Sequence, residues 1–238
     1  MRFLILSDIH GDTDRIGQLD HEFARADAVL YAGDFACFTP GNPRPSAETG
    51  LPVLDLLMKK HESLFAVTGN CDDPSFREVL EERDVSVEGV LVYFNPFFIC
   101  GAGGAMRFTG ATVNERTEDG ILSDLSPVVN GTSDDRDWNN LILLIHQPPM
   151  DTKLDTIASG VHVGSQKIRD FIGQVQPLLS VSGHIHESAG IDTIGSTVVV
   201  NPGSLAEGRY AVAEAVFRDG RWRIEGAELK VLPPETGS

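Results

Sequence analysis

Short apolar runs that stop abruptly at polar residues recur along this sequence and restrict its fold. The first run, Arg-Phe-Leu-Ile-Leu at residues 2–6, predicts a buried strand, and Gly11 predicts a loop after it. In α/β sheets such loops meet at the carboxyl edge of the sheet, where ligands bind. Asp8 and His10 lie two residues apart and therefore face the same side of an extended chain. Taken alone, this pair is better explained as a helix cap beside a hydrogen-bonded loop histidine.

Four later apolar runs end in the same way. We predict strands at residues 28–31, 63–68, 141–145 and 178–182, and the side chains that follow them are Asp34, Asn70, His146, and His184 with His186. With the first pair, two aspartates, four histidines and one asparagine form a mixed nitrogen and oxygen set. Such a set suits two divalent transition-metal ions. A carboxylate can bridge two ions, and a bridged pair polarises phosphoryl oxygens and activates water.

The segments between these strands carry helix and turn signals. Apolar residues at helical spacing predict a β-α-β-α-β-α order up to residue 84, with the first helix at residues 12–26 and the third beginning at Pro74. A further helix is started by Gly164-Ser165, and Asp219-Gly220 predicts a hairpin between the last two strands. The glycines within residues 101–104 either form a flexible turn or allow a close approach of backbone.

Residues 104–140 are the least regular part of the chain. They are polar and rich in Thr, Asn, Asp and Gly, so we expect a long surface insertion, partly mobile, that covers the cleft. Its acidic run at residues 134–137 is interpreted as a solvated face rather than a cation site. A second loop, at residues 35–50, contains a proline-rich turn at 40–45. These two variable segments are where we expect the substrate pocket to be built.

Composition excludes several classes of function. The 238 residues carry 19 Lys and Arg against 35 Asp and Glu, a net charge of −16, which argues against general binding to nucleic acid or anionic membrane. A small phosphorylated substrate is not excluded, because divalent ions outweigh a few carboxylates locally. The three cysteines are irregularly spaced, which indicates reduced thiols rather than a disulfide framework. We find no apolar stretch of transmembrane length and no secretion signal, and expect a cytoplasmic protein.

The order of the motifs resembles that of a known family, the calcineurin-like metallophosphoesterases. The matching blocks are Asp8-Ile9-His10, Gly33-Asp34, Gly69-Asn70-Cys71-Asp72, His146 and Gly183-His184-Ile185-His186, with Asn-Pro-Gly-Ser at residues 201–204. The stretches at residues 146–149 and 162–165 look most like the branch related to cyclic-nucleotide phosphodiesterases. Some members with Gly-Asn-Cys-Asp also look like phosphodiesterases.

This resemblance implies an α/β fold of four layers, an αββα sandwich in which two mixed sheets are flanked by helices. It implies a single domain over residues 1–238, with the variable insertion at about 104–140. The implied ligands are Asp8, His10 and His186 for one ion, Asn70, His146 and His184 for the other, and Asp34 as the bridge. Mn²⁺ is the expected metal, although Fe, Zn, Co and Ni accept the same ligands.

One position departs from the family pattern. Where many members have a histidine thought to protonate the leaving group or stabilise the transition state, this chain has Cys71. A thiol with a pKa of about 8.5 is a poor general acid at pH 7, and we favour a small residue packed behind the metals. Asp72 either orients a metal ligand or caps the next helix. His162, before a helix amino terminus that could bind phosphate, either contacts substrate or is a surface histidine.

The expected function is hydrolysis of a small phosphodiester by two metal ions, with in-line attack of a metal-bound hydroxide. The candidate catalytic residues are Asp34, Asn70, Cys71 and His184, and the candidate substrate-binding residues are Asn70 and His162. A phosphomonoesterase acting on nucleotides or proteins is the main alternative, because both reactions use the same metal centre. A catalytically silent scaffold is the other alternative, and it would show lost ligands, whereas all seven are present. The sequence leaves the oligomeric state open.

Overall fold

Two β-sheets packed against each other form the centre of the molecule. The computed structural model describes residues 1–37, 44–108, 110–130 and 137–233. The first sheet has the strand order β13-β12-β1-β2-β3, and its strands are β1 (Arg2–Leu6), β2 (Ala28–Tyr31), β3 (Leu64–Ala66), β12 (Arg209–Arg218) and β13 (Arg221–Val231). In it, β1, β2 and β3 are parallel, whereas β12 runs antiparallel to β1 and β13 antiparallel to β12.

The second sheet is also mixed. Its order is β10-β11-β9-β8-β5-β4, and its strands are β4 (Val92–Phe94), β5 (Phe97–Ala102), β8 (Leu141–Ile145), β9 (Leu179–Val181), β10 (Gly190–Ile194) and β11 (Thr197–Asn201). The four central strands are parallel, and the two edge strands are antiparallel to their neighbours. Parallel strands end at the same edge of their sheet, so the loops after β1, β2, β3, β8 and β9 lie where a shared site can form.

Helices cover the outer face of each sheet. They are α1 (Thr13–Gly17), α2 (Asp20–Phe23), α3 (Leu51–Lys60), α4 (Phe76–Glu82), α5 (Glu118–Ser123), α6 (Ser126–Asn130) and α7 (Gln166–Val175). The alternation of side chains along a strand explains the layers. Leu4 and Leu6 of β1 pack against α1–α4, whereas Phe3 and Ile5 face the second sheet. In β8, Leu143 packs against α5–α7 on the other side. The predicted α/β sandwich of four layers is confirmed.

Two of the predicted helices have different bounds in the structure. The helix expected at residues 12–26 is divided into α1 and α2, because α1 ends at Gly17, and a glycine weakens a helix by about 1 kcal/mol relative to alanine. The helix expected to begin at Pro74 begins at Phe76 instead. Before it, the Asp73 carboxylate accepts the backbone N–H of Ser75 at 2.9 Å, and this local turn takes up the residues that would otherwise form the first turn of the helix.

The described part of the insertion is more regular than predicted. It contains the paired strands β6 (Ala105–Met106) and β7 (Glu115–Arg116), followed by α5 and α6. Ile121, Leu125 and Val128 are fully buried against the second sheet, so the expectation of a surface insertion is wrong for this part. They lie in α5, in the link after it and in α6, at the spacing of an apolar helical face that the surrounding polar residues conceal in the sequence. Most of the acidic run at 134–137 and of the turn at 40–45 lies outside the described residues.

The glycines at 101–104 permit close contacts. A Cβ atom on Gly101 would lie 2.4 Å from the carbonyl oxygen of Leu144, and one on Gly103 would lie 2.2 Å from Oγ1 of Thr68. The close-approach alternative is therefore the correct one. Within the described ranges, the helices are all too short or too polar to cross a membrane.

Candidate metal centre

The loops that follow β1, β2 and β9 hold four of the predicted ligands in left-handed backbone conformations. The φ angles are 56° at Asp8, 49° at His10, 61° at Asp34 and 70° at His184. This conformation is unfavourable for residues other than glycine and persists only where the surrounding structure imposes it. Backbone hydrogen bonds between the first two loops do so: Asp8 N–H donates to the Gly33 carbonyl at 2.9 Å, and His10 N–H donates to the Asp34 carbonyl at 3.1 Å.

Three predicted ligands of one ion converge at the end of β1. Nε2 of His10 lies 3.2 Å from Nε2 of His186, which in turn lies 3.2 Å from Oδ1 of Asp8. The same Asp8 oxygen is 3.9 Å from Nε2 of His10. Burial lowers the pKa of His186, but the hydrogen bond and charge of Asp8 raise it to about 9 overall, so this place favours a positive charge. Two imidazole nitrogens and one carboxylate oxygen facing a common point fit a transition-metal ion.

A second group of ligands surrounds His146, which is fully buried. Its Nδ1 lies 2.6 Å from the Ala32 carbonyl oxygen, which only accepts hydrogen bonds, so Nδ1 carries a proton. Its Nε2 faces Oδ1 of Asn70 at 2.9 Å. In neutral imidazole this nitrogen is an acceptor too, and two facing acceptors need a cation between them, either a proton or a metal ion. The pair therefore fits a metal site.

Asp34 connects the two groups. Its Oδ2 atom lies 3.8 Å from Nε2 of His10 and 3.6 Å from Nε2 of His146. Its other oxygen, Oδ1, accepts the backbone N–H of Cys71 at 2.7 Å, which fixes the orientation of the carboxylate. One oxygen is thus shared between the two groups, as the bridging position predicted for this residue requires.

His184 lies beside the second group and is half-buried. Its ring centroid is 5.2 Å from that of His146, and its backbone N–H donates to Oδ2 of Asp8 at 3.1 Å. Burial and the charge of the neighbouring His146 together lower the pKa of His184 to about 3, so the ring stays neutral and keeps a lone pair for a ligand. All seven predicted metal-ligand residues are therefore brought to one edge of the two sheets.

The carboxylate of Asp72 holds the bridging loop in place. It is fully buried and accepts the backbone N–H groups of Asp34, Ala36 and Gly69 at 3.0, 2.8 and 2.7 Å. Burial and the nearby charge of Asp34 raise the pKa of Asp72 to about 7, although its N–H donors oppose the shift. Of the two roles considered for Asp72, the structure shows the orienting one. The next helix is preceded by a turn around Asp73 instead.

Two supporting residues escaped the sequence analysis. The buried hydroxyl of Tyr31 accepts the N–H of Ile9 and donates to the Asp34 carbonyl, both at 3.2 Å, and so ties the first two loops together. The sequence feature that could have pointed to this role of Tyr31 was a hydroxyl side chain within an otherwise apolar strand. Asn114, in the insertion, donates from Nδ2 to the Gly69 carbonyl at 3.0 Å, and its own N–H donates to the Asn70 carbonyl at 3.0 Å. Nothing in its polar surroundings marked it.

The closing motif at residues 201–204 secures the remaining loops. Asn201 is buried and donates from Nδ2 to the Ile185 carbonyl at 3.0 Å, between His184 and His186. Ser204 donates from its hydroxyl to the Asp8 carbonyl at 2.7 Å. These two side chains therefore position three ligands without contacting the centre between them.

Cys71 faces the same cluster. Its sulfur lies within 4.8 Å of the ligand atoms of His10 and Asp34, and it is 3.7 Å from Nδ2 of Asn70. Burial and the charge of Asp34 raise the pKa of the thiol, which therefore stays protonated at neutral pH. The residue is a member of the site, but it does not supply the charge that an imidazolium would.

His162 lies before the amino terminus of α7 and is hydrogen-bonded to a carboxylate of the protein. Its Nδ1 lies 2.8 Å from Oδ1 of the buried Asp155, whose charge raises the pKa of the histidine. The neighbouring N–H of Gly164 donates to Asp155, and that of Lys167 donates to Glu118, both at 3.0 Å. Of the two alternatives for His162, these contacts favour the surface histidine, because carboxylates of the protein already accept from these N–H groups.

A cavity of about 210 Å³ opens beside His184. Three segments build it, and its lining residues are Met106, Arg107, Phe108, Gln147, Ile157, Val163, His184 and Ile185. The insertion thus reaches the neighbourhood of the metal ligands, whereas the described part of the loop at residues 35–50 contributes none of these lining residues.

Comparisons with known proteins agree with this geometry. The calcineurin-like phosphoesterase superfamily domain matches residues 1–218. An uncharacterised protein of Methanocaldococcus jannaschii is 29% identical over 208 residues, which are 85% of this chain and 88% of that protein. A crystal structure from Thermus thermophilus matches with a TM-score of 0.67 at 18% identity, covering 94% of this chain and 97% of the other. A calcineurin-like phosphoesterase from Bacillus subtilis matches with a TM-score of 0.53 at 16% identity, covering 97% of this chain and 90% of the other. At these identities the two structures support the fold alone.

Proposed function

Because the chain belongs to the calcineurin-like phosphoesterase superfamily, we propose that it hydrolyses a small phosphodiester with the help of two divalent metal ions. The observation that carries the proposal is the position of Asp34, whose Oδ2 lies between the nitrogens of His10 and His146 at 3.8 and 3.6 Å. A single carboxylate oxygen shared by two sets of ligands is what a two-metal phosphoesterase needs.

The chain's own residues divide into two sets around this bridge. Asp8, His10 and His186 would hold one ion, and Asn70, His146 and His184 the other. Bound there, the two ions would supply the Lewis acidity and the activated water that phosphoester hydrolysis needs. Mn²⁺ is the proposed metal.

Neutral side chains beside the bridge complete the site. Neutral His184 belongs to the second ligand set and also lines the adjoining cavity, so it would orient the phosphate at their junction. Asn70 presents Oδ1 to the centre and Nδ2 to Cys71, which fixes its amide.

Two features support a diester rather than a monoester. The first is Cys71, a neutral thiol at the position where many relatives carry a histidine, in a branch that looks like phosphodiesterases. The second is the cavity beside His184, which gives room for a second organic group on phosphorus. The net charge of −16 supports a small substrate over a nucleic-acid strand. The free thiols of Cys37 and Cys100 support the cytoplasm as the compartment of this activity.

The test compares bis-p-nitrophenyl phosphate with p-nitrophenyl phosphate, each with and without Mn²⁺. We expect metal-dependent hydrolysis with the higher kcat/KM for the diester. A higher kcat/KM for the monoester would make the protein a phosphomonoesterase. Hydrolysis of neither compound, with two ions shown to be bound by elemental analysis, would contradict the enzymatic proposal and favour a scaffold.

A further inference from the structure

The cavity beside His184 borders the metal centre, because this one predicted metal ligand also lines the cavity. His184 and Ile185 form one wall, Ile157 and Val163 a second, and residues 106–108 a third. Because His184 also packs beside His146, a phosphate held at the centre would direct one of its substituents towards this cavity. In substrate binding, the cavity would therefore receive the group attached to the phosphate, and this role rests on the proposed function.

The walls of the cavity are mainly apolar. Met106, Phe108, Ile157, Val163 and Ile185 line it. Gln147 also lines it, but its amide is engaged with the protein: Oε1 accepts the N–H of Met106 at 2.9 Å, and Nε2 donates to the Val163 carbonyl at 3.1 Å. The walls therefore favour an apolar or aromatic group over one that needs several hydrogen bonds.

The size of the cavity limits what it accepts. Its volume of about 210 Å³ is below the roughly 300 Å³ at which pockets for whole drug-sized ligands begin. It therefore accommodates one moiety of a substrate, such as a single ring system, rather than a whole molecule.

Arg107 adds a positive charge to this wall. It is exposed, and within the described part of the chain its guanidinium makes no ion pair or hydrogen bond. Beside it, the side chain of Phe108 is 78% exposed. An unpaired cation and an exposed aromatic ring next to each other, in a chain with a net charge of −16, fit a ligand that is both anionic and apolar.

We propose that this cavity is the specificity site of the enzyme: its apolar walls bind an aromatic or similarly apolar group attached to the phosphate, and Arg107 attracts the anionic part of the same substrate. Arg107 and Phe108 are then residues that determine specificity, supplied by the insertion.

The test uses two ligands that cannot be hydrolysed at phosphorus, phenylphosphonate and methylphosphonate, titrated calorimetrically into the Mn²⁺-loaded protein. Both carry the same anionic head and differ in the group that would enter the cavity. We expect phenylphosphonate to bind about tenfold more tightly or better, as an apolar pocket discriminates. Phe108→Ala should reduce this ratio, and Ile157→Trp, which fills the cavity, should bring it close to one.

Arg107→Gln should affect phosphonate binding differently from Phe108→Ala and Ile157→Trp. It should weaken both phosphonates several-fold and leave their ratio unchanged, because it acts on the charge they share. Phe217→Ala, at another exposed phenylalanine, is the matched control for Phe108→Ala and should change neither affinity.

The result of the phosphonate titrations does not depend on whether the protein hydrolyses a substrate. A wild-type ratio near one, or a ratio that Phe108→Ala and Ile157→Trp leave intact, would overturn the proposal. Failure to hydrolyse p-nitrophenyl esters would overturn the proposed function instead, since the phosphonate titrations require no hydrolysis.

Discussion

Oδ2 of Asp34 lies 3.6 Å from Nε2 of His146, and the same oxygen is 3.8 Å from Nε2 of His10. One carboxylate oxygen, after the end of β2, thus lies close to residues that follow two other strands, β1 and β8. The consequence is that a change of this single oxygen should affect both halves of the centre at once.

Asp34→Asn tests this relationship. The amide keeps the size of the side chain and an acceptor for the Cys71 N–H but removes the charge that two cations would share. We expect hydrolysis of bis-p-nitrophenyl phosphate to fall by at least about 100-fold, the scale on which electrostatic stabilisation is lost. Retention of full activity with two bound metals would contradict the bridging role.

Metal removal and return should change stability. Chelator-treated protein should regain stability on addition of Mn²⁺, because an ion that binds only the folded state contributes about 2.7 kcal/mol at a concentration 100-fold above its Kd. Calorimetric titration should show two equivalents for the wild-type protein and one for His10→Ala, whose ring belongs to only one ligand group. Equal stoichiometry in both proteins would refute the assignment of His10.

Cys71 provides a test of the departure from the family pattern. Since burial raises the pKa of its thiol, Cys71→Ala should lower the kcat for p-nitrophenyl esters by less than about tenfold, well below the 10²- to 10⁴-fold effect of losing a general acid. Cys100→Ala, at a thiol buried in another core cluster, controls for the loss of packing. A 100-fold loss confined to the Cys71 variant would assign that residue a catalytic role.

Asn114 links the insertion to a metal ligand. Asn114→Ala removes the hydrogen bonds to the Gly69 carbonyl and to Oγ1 of Thr68, and should weaken metal binding by about 10- to 100-fold, as loss of a group that supports a ligand does. The measurement is calorimetric titration with Mn²⁺. Asn140→Ala is the matched control, because it removes a hydrogen bond to Pro96 elsewhere and should affect stability alone. Equal metal affinity in the two variants would exclude a positioning role for Asn114.

Glu22 should make stability dependent on pH at a place remote from the metal ligands. Its carboxylate accepts hydrogen bonds from Arg2 at 2.5 Å and from Lys230 at 3.4 Å. Burial raises the pKa of Glu22, but these two cations lower it more. Its stabilising effect is therefore present above the unfolded-state pKa of about 4.3 and is lost as the pH falls through the lower folded-state pKa.

Urea denaturation of Glu22→Gln checks this sign. We expect the free energy of unfolding to fall by about 1.5–3 kcal/mol at pH 7, the scale of a hydrogen bond to a charged group, with a difference that shrinks in acid. Glu214→Gln, at an exposed partner of the same arginine, should cost at most about 1 kcal/mol. If the loss of unfolding free energy caused by Glu22→Gln grew as the pH fell, this would contradict the lowered pKa assigned to Glu22.

Local sequence patterns identified most of the elements. β1, β2 and β8 have the bounds that their apolar runs indicated, and α7 begins directly after the start predicted at Gly164-Ser165. The pattern was less informative where apolar residues are sparse, as in α5 and α6, and where a local hydrogen bond competes with a helix, as at Asp73. Helix boundaries depend on such single contacts, which composition does not reveal.

The sequence by itself determined which residues are available for the metal centre, because strand-forming runs and the polar residues at their ends are local properties. Only the tertiary structure decided how these residues meet. The shared position of Asp34 Oδ2, the three N–H bonds to Asp72, and the clamp from Asn114 all join segments far apart in the chain. The cavity beside His184 likewise arises from three separate segments. Distances between side chains remote in sequence are set by packing of the sheets and helices, and packing is a property of the whole fold.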